Sequence, residues 1–205
     1  MKTSNKFTLV RIIAAPIFFV IFFLPEWTHA APGSILPVLC ACVSIVMLAF
    51  AEFTDFLDGH FARKHNEVSD FGKMFDPFAD VFLHLSSFVC FTYAGLCPLP
   101  LLILIIYREF SQNFLRMVAA KSGTAIAARK GGKFKTVMYV VAEFYSLVLA
   151  SLTWTGLDSA WGLNNGAMDL LKYIGYGLYA VCVLLAYVSF IDYLKNFGHV
   201  LKDAA

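Results

Sequence analysis

Long apolar runs recur six times along the chain, at about 8–24, 35–56, 74–96, 98–119, 136–157 and 170–193. Each approaches the roughly 20 residues that a bilayer-crossing helix needs. Turn-forming residues separate them. Pro25, Pro32, Gly33 and Pro37 follow the first run, Cys97-Pro98-Leu99-Pro100 lies between the third and fourth, and Gly156, Gly162, Asn164, Asn165 and Gly166 precede the last. The pattern predicts an all-α fold, a polytopic membrane bundle of six transmembrane helices forming one domain over residues 1–205. Arg11 near the start of the first run points to a short N-terminal interfacial segment. No internal repeat or low-complexity stretch is present.

Composition supports a bilayer environment. The chain is 60% hydrophobic and 15% charged, against about 45–50% and about 25% in soluble domains. The charges also orient it. With the N-terminus inside, the inner segments hold Lys2, Lys6, Arg63, Lys64, Lys73, Lys121, Arg129, Lys130, Lys133, Lys135, Lys195 and Lys202, whereas the outer loops have no Lys or Arg before Lys172. The excess of inner positive charge predicts cytoplasmic N- and C-termini. A net charge of +2 gives no reason to expect nucleic acid. Lys2, Lys6 and Thr28-His29-Ala30 loosely imitate a signal peptide, but the intervening run exceeds a usual h-region, so the segment is expected to stay as the first span. The five cysteines are scattered without a C-x-x-C pair and read as packing residues rather than disulfide or zinc partners.

Against this background the aspartates stand out. They fall as Asp55-x-x-Asp58-Gly59-x-x-Ala62-Arg63, then Gly72-x-x-x-Asp76-x-x-x-Asp80. An aspartate in a membrane helix costs about 2.5–3.5 kcal/mol on insertion scales, so four at helical spacing imply a function. Asp55, Asp58, Gly59 and Ala62 share one helix face, and Asp76 and Asp80 lie one turn apart. A short inner connection brings the two helix ends together. Four converging carboxylates repel unless a cation neutralises them, and oxygen-only ligation suits Mg²⁺ or Mn²⁺. Four can hold two such ions, a geometry used for phosphoryl displacement. Surface pairing with Arg63, Lys64 and Lys73 would account for one or two acids, not four.

The string D-x-x-D-G-x-x-A-R-x8-G-x-x-x-D-x-x-x-D resembles the signature of the CDP-alcohol phosphotransferase family at every fixed position. The resemblance implies transfer from a CDP-linked donor to an alcohol with release of CMP. It further implies that Asp55, Asp58, Asp76 and Asp80 ligate two ions of Mg²⁺ or Mn²⁺, and that Asp80 is also the catalytic base. By the same resemblance Asp58, Gly59, Ala62, Arg63, Gly72, Asn5 and Thr8 lie at the nucleotide. The enzyme is then expected in the bacterial cytoplasmic (inner) membrane as a homodimer, with its site facing the cytoplasm.

The acceptor is addressed by Arg108, Arg116, Lys133 and Lys135. An arginine inside a span is costly and calls for an anionic partner. That partner is either a phosphate or, for Arg108, a neighbour such as Glu109 or Glu143; the alternative for Arg116 is snorkelling to the interface. The run R-E-x6-L-R followed by G-K-x-K-T, with Asn5-x-x-Thr8-x-x-Arg11 and Asp76-Pro77-x-Ala79-Asp80, resembles the phosphatidylglycerophosphate synthase branch of the family. There the four cations would hold the phosphate of glycerol 3-phosphate, and the donor would be CDP-diacylglycerol. Val81 departs from the basic residue that follows the last aspartate in typical members. Inositol phosphate is the competing acceptor. An ion or anion transporter is the rival of another class, although such sites usually sit at the midplane with broken helices or inverted repeats. His84, one turn beyond Asp80, reads as a packing or hydrogen-bonding residue rather than a second base.

Overall fold

The computed structural model describes the backbone of residues 3–64, 70–121, 123 and 130–198, and the side chains of 7–54, 72, 74–121, 123 and 131–198. Among these residues the chain is all-helical: α1 Thr3–Trp27, α2 Ile35–Lys64, α3 Asp70–Tyr93, α4 Leu99–Lys121, α5 Lys130–Thr155, the single turn α6 Leu157–Ala160, and α7 Asn165–Phe197. Each expected run corresponds to one long helix. The segment expected at the interface before residue 8 continues α1 without a break. The last loop holds the unexpected α6, and Asn164 starts α7 by accepting a 2.8 Å hydrogen bond from the Ala167 amide, the usual role of an N-cap asparagine.

Among the described residues five helices are long and apolar enough to cross a membrane, over Phe7–Trp27, Ile35–Thr54, Met74–Tyr93, Gly131–Thr155 and Asn165–Phe197. α4 has the length, about 34 Å at 1.5 Å per residue, but Arg108, Glu109 and Arg116 in its middle and last turns keep it outside that set. Those charges are not turned to lipid. Arg108 and Glu109 are buried, and the outward side of α4 carries Tyr107, Phe110, Phe114 and Met117.

The bundle is held at one end by aromatic rings. Phe22 meets Phe91 and Trp154 edge-on at 5.7 and 4.9 Å, and Phe18 meets Phe91 at 6.1 Å. Tilted and edge contacts of this kind add about 0.5–1.5 kcal/mol each beyond area burial. The α1–α2 turn docks here as well: Gly33, at φ 77°, donates its amide to the Trp154 carbonyl at 2.9 Å. A Cβ at Gly33 would occupy a strained backbone region and sit 3.4 Å from the Thr155 carbonyl. Small buried residues, Ala15, Ala51 and Ala79, line the contacts of α1, α2 and α3, and such residues let membrane helices approach closely. All five cysteines are free, four of them buried, as expected of packing residues.

Candidate active site

At the end of the bundle away from those rings lies a cavity of about 650 Å³. One wall is acidic. α1 packs against α2 and α3, and this brings Arg11 between Asp76 and Asp80, with Nη2 donating to Asp76 and Nη1 to Asp80. Thr8 Oγ1 donates to Asp76 Oδ1 at 3.3 Å. Arg11 is 1% exposed while the two carboxylates are 38% and 25% exposed. The aspartates therefore reach from the protein edge into the cavity, and the arginine backs them from inside.

The other residues of the acidic string are placed by the backbone alone. Asp55, Asp58, Gly59, Ala62 and Arg63 belong to the last turns of that helix, and Gly72 lies one turn before Asp76 on α3. The side chains of those five α2 residues, and that of Asn5 on α1, lie outside the described residues. The donor chemistry of the described part fits a divalent metal: two carboxylates on successive turns are drawn to one shared cation, which here is the Arg11 guanidinium.

The opposite wall is basic and comes from α4, α5 and α7. Glu109 is its hub. It accepts from Lys135 Nζ at 2.7 Å, from Arg108 Nη1 at 2.8 Å and from the Tyr139 hydroxyl at 2.8 Å. Arg108 also donates to the Ala186 carbonyl at 2.9 Å and contacts Ser189 Oγ at 3.3 Å. Of the two partners open to Arg108 from the sequence, Glu109 is the one it meets. Removing one member of a buried charged set costs about 3–5 kcal/mol, because the others are left uncompensated. Glu109→Gln is therefore expected to lower the thermal unfolding midpoint of the detergent-purified protein markedly. An unchanged midpoint would mean that Arg108 and Lys135 do not depend on this carboxylate.

Arg116 and Lys133 stand apart from that hub. Both line the cavity, and among the described residues neither meets a carboxylate. Arg116 lies over the Tyr193 ring at 5.6 Å, with Nη2 3.4 Å from its hydroxyl. Its Nε is buried without a hydrogen-bond partner among the described residues. Gln112, between Arg108 and Arg116 on the same helix face, is 1% exposed with both amide atoms equally unpartnered.

Asp76, Asp80, Arg108, Arg116, Lys133 and Lys135 thus share one cavity. Sequence reasoning did not single out the pairing of Arg11 with Asp76 and Asp80, Glu109 as an anchor, or Glu52 and Glu143 beside His84. For Glu109 the signal was present in its adjacency to Arg108; the others become visible only once the helices are packed.

Known proteins resemble this chain over most of its length. The sequence profile of the family described as CDP-alcohol phosphatidyltransferase matches residues 1–186. A Treponema pallidum protein named CDP-diacylglycerol–glycerol-3-phosphate 3-phosphatidyltransferase is 35% identical over 204 residues, covering 98% of this chain and 92% of that protein. Proteins of the same name from Bacillus subtilis and Aquifex aeolicus are 37% and 30% identical. The first match covers 67% of this chain and 72% of its relative, the second 99% and 100%.

Proposed function

The chain belongs to the CDP-alcohol phosphatidyltransferase family, and from that premise we propose that it transfers the phosphatidyl group of CDP-diacylglycerol to glycerol 3-phosphate. The products are phosphatidylglycerol phosphate and CMP, in phospholipid biosynthesis. The observation that carries this reading is a single cavity with carboxylates on one wall and Arg116 and Lys133 on the other. The first wall suits a pyrophosphate with its metal, the second an acceptor that bears a phosphate of its own.

The acceptor hydroxyl oxygen attacks the phosphorus next to diacylglycerol. As that O–P bond forms, the bond from phosphorus to the bridging oxygen breaks and the oxygen leaves with CMP. The hydroxyl proton passes to a carboxylate oxygen of Asp80, which faces the cavity. Asp55, Asp58, Asp76 and Asp80 would hold the metal, Mg²⁺ or Mn²⁺ and in this reading two ions, whose charge when bound offsets that developing on the leaving phosphate. Asp58, Gly59, Ala62, Arg63 and Gly72, with Asn5 and Thr8, are read as the nucleotide side. Thr8 supports this by its place next to Asp76.

Arg116 and Lys133 are the cations best placed for the acceptor phosphate, since both face the cavity without a carboxylate partner among the described residues. Arg108 and Lys135 line it too, held in position by Glu109. Val137, Val140 and Val141 of α5 give the cavity an apolar flank suited to the acyl chains. Six spans, with α4 as the one whose charges face inward, would put both termini and the site in the cytoplasm of a bacterial inner membrane. The enzyme is read as a homodimer on the family resemblance alone.

Purified protein supplied with CDP-diacylglycerol and, separately, glycerol 3-phosphate, inositol phosphate or serine is the direct test, scored by CMP release and by lipid product. Only glycerol 3-phosphate is expected to support turnover; EDTA should abolish it, and Mg²⁺ or Mn²⁺ should restore it. A preference for inositol phosphate would keep the chemistry and reassign the acceptor. Acceptor-independent CMP release would count against transfer altogether.

A further inference from the structure

We propose that Glu52, His84 and Glu143 form a second divalent-cation site, next to but separate from the aspartates, that takes a first-row transition-metal ion. The three residues come from α2, α3 and α5, and their donor atoms all lie within 4.8 Å of one another. A dication with bonds of about 2.0–2.2 Å to nitrogen and oxygen draws donors this near to one another together.

Two buried atoms without a hydrogen bond among the described residues point to a ligand here. His84 Nδ1 lies 2.9 Å from Glu143 Oε1, an ion-pair contact that lacks hydrogen-bond geometry among the described residues. Glu143 Oε2 also lacks a partner among the described residues. Both side chains are buried, at 3% and 0% exposure. Each unmet buried polar group is costly, and one cation satisfies both.

The surroundings are those of a built site. His84 is fixed by the edge of Tyr139 at 5.6 Å and by Phe88 at 6.3 Å, and Ser87 donates to Glu143 Oε1. Such outer partners set ligand orientation. Glu52 and His84 line the cavity, which supplies an entry path. Imidazole with carboxylates favours manganese, cobalt or zinc, whereas the oxygen-only aspartates favour a hard ion such as Mg²⁺.

That difference in preference provides the test. The full chain, purified in detergent and stripped with chelator, is loaded with excess Mg²⁺ and titrated with Co²⁺, following ligand-field absorption and bound cobalt per chain. One Co²⁺ is expected over the Mg²⁺ background. It should disappear in His84→Ala, weaken by about 10-fold or more in Ser87→Ala, and persist in Asp76→Asn. Ser87→Ala removes only a hydroxyl and carries the test should His84→Ala not fold. No cobalt beyond the Mg²⁺ background in the wild type, or unchanged cobalt affinity in the folded variants, would overturn the site and leave a His84–Glu143 ion pair only.

Discussion

Asp80→Asn is expected to lower CMP release by about 10²–10⁴-fold, the range a positioned general base contributes, while binding of CDP-diacylglycerol changes much less. Asparagine keeps the shape and can still accept from Arg11, but it cannot take up the acceptor's proton and is a poor metal ligand. Asp76→Asn should also cost orders of magnitude, through the metal alone. Because Arg11 is buried between the two carboxylates, each variant also removes part of its compensation. Thermal unfolding must therefore be measured beside turnover at equal protein levels. A rate that falls only in proportion to folded protein would make these aspartates structural, and a variant of Asp80 that loses donor binding but keeps turnover would remove its role as base.

Arg116→Ala should raise the apparent KM for glycerol 3-phosphate by roughly 10-fold or more. A charge-assisted hydrogen bond to phosphate is worth about 1.5–3 kcal/mol, and about 1.4 kcal/mol corresponds to a decade. The KM for CDP-diacylglycerol should move far less. Lysine at this position should rescue in part, since it restores charge without the planar fork. Lys133→Ala should act in the same direction through a more exposed and hence more weakly held charge. Arg108→Ala is expected to differ in kind, with lost stability, because its guanidinium is bonded to Glu109 and to the Ala186 carbonyl. Normal acceptor KM values in both the Arg116 and Lys133 variants would place the phosphate elsewhere.

Much of this architecture is legible in the sequence because bilayer physics is restrictive. Apolar runs bounded by proline and glycine had to become helices, and the regular spacing of Asp76 and Asp80 had to put them on one face. What escaped depends on contacts between distant segments. Arg11 is picked out by the Asn5-x-x-Thr8-x-x-Arg11 pattern, but its pairing with Asp76 and Asp80 is hidden until α1 is laid against α3. His84 is visible as a neighbour of Asp80, whereas Glu52 and Glu143 join it only through the packing of α2 and α5. The ambiguity over Arg108 could not be removed from spacing alone: Glu109 and Glu143 both stood within reach, and the rotation of α4 decides between them. α6 is a single turn, too short to leave a periodic signal.

The grip of Asp76 and Asp80 on Arg11 also bears on how the protein is made. These partners are separated by 65 and 69 positions along the chain, so the first helix leaves the ribosome and meets the membrane well before the third exists. During that interval its arginine, near the start of the Phe7–Trp27 span, lacks both carboxylates that hold it in the finished bundle. The first helix is thus expected to be held less firmly until the third is present. The catalytic carboxylates would in this way be assembly partners before they are active-site groups.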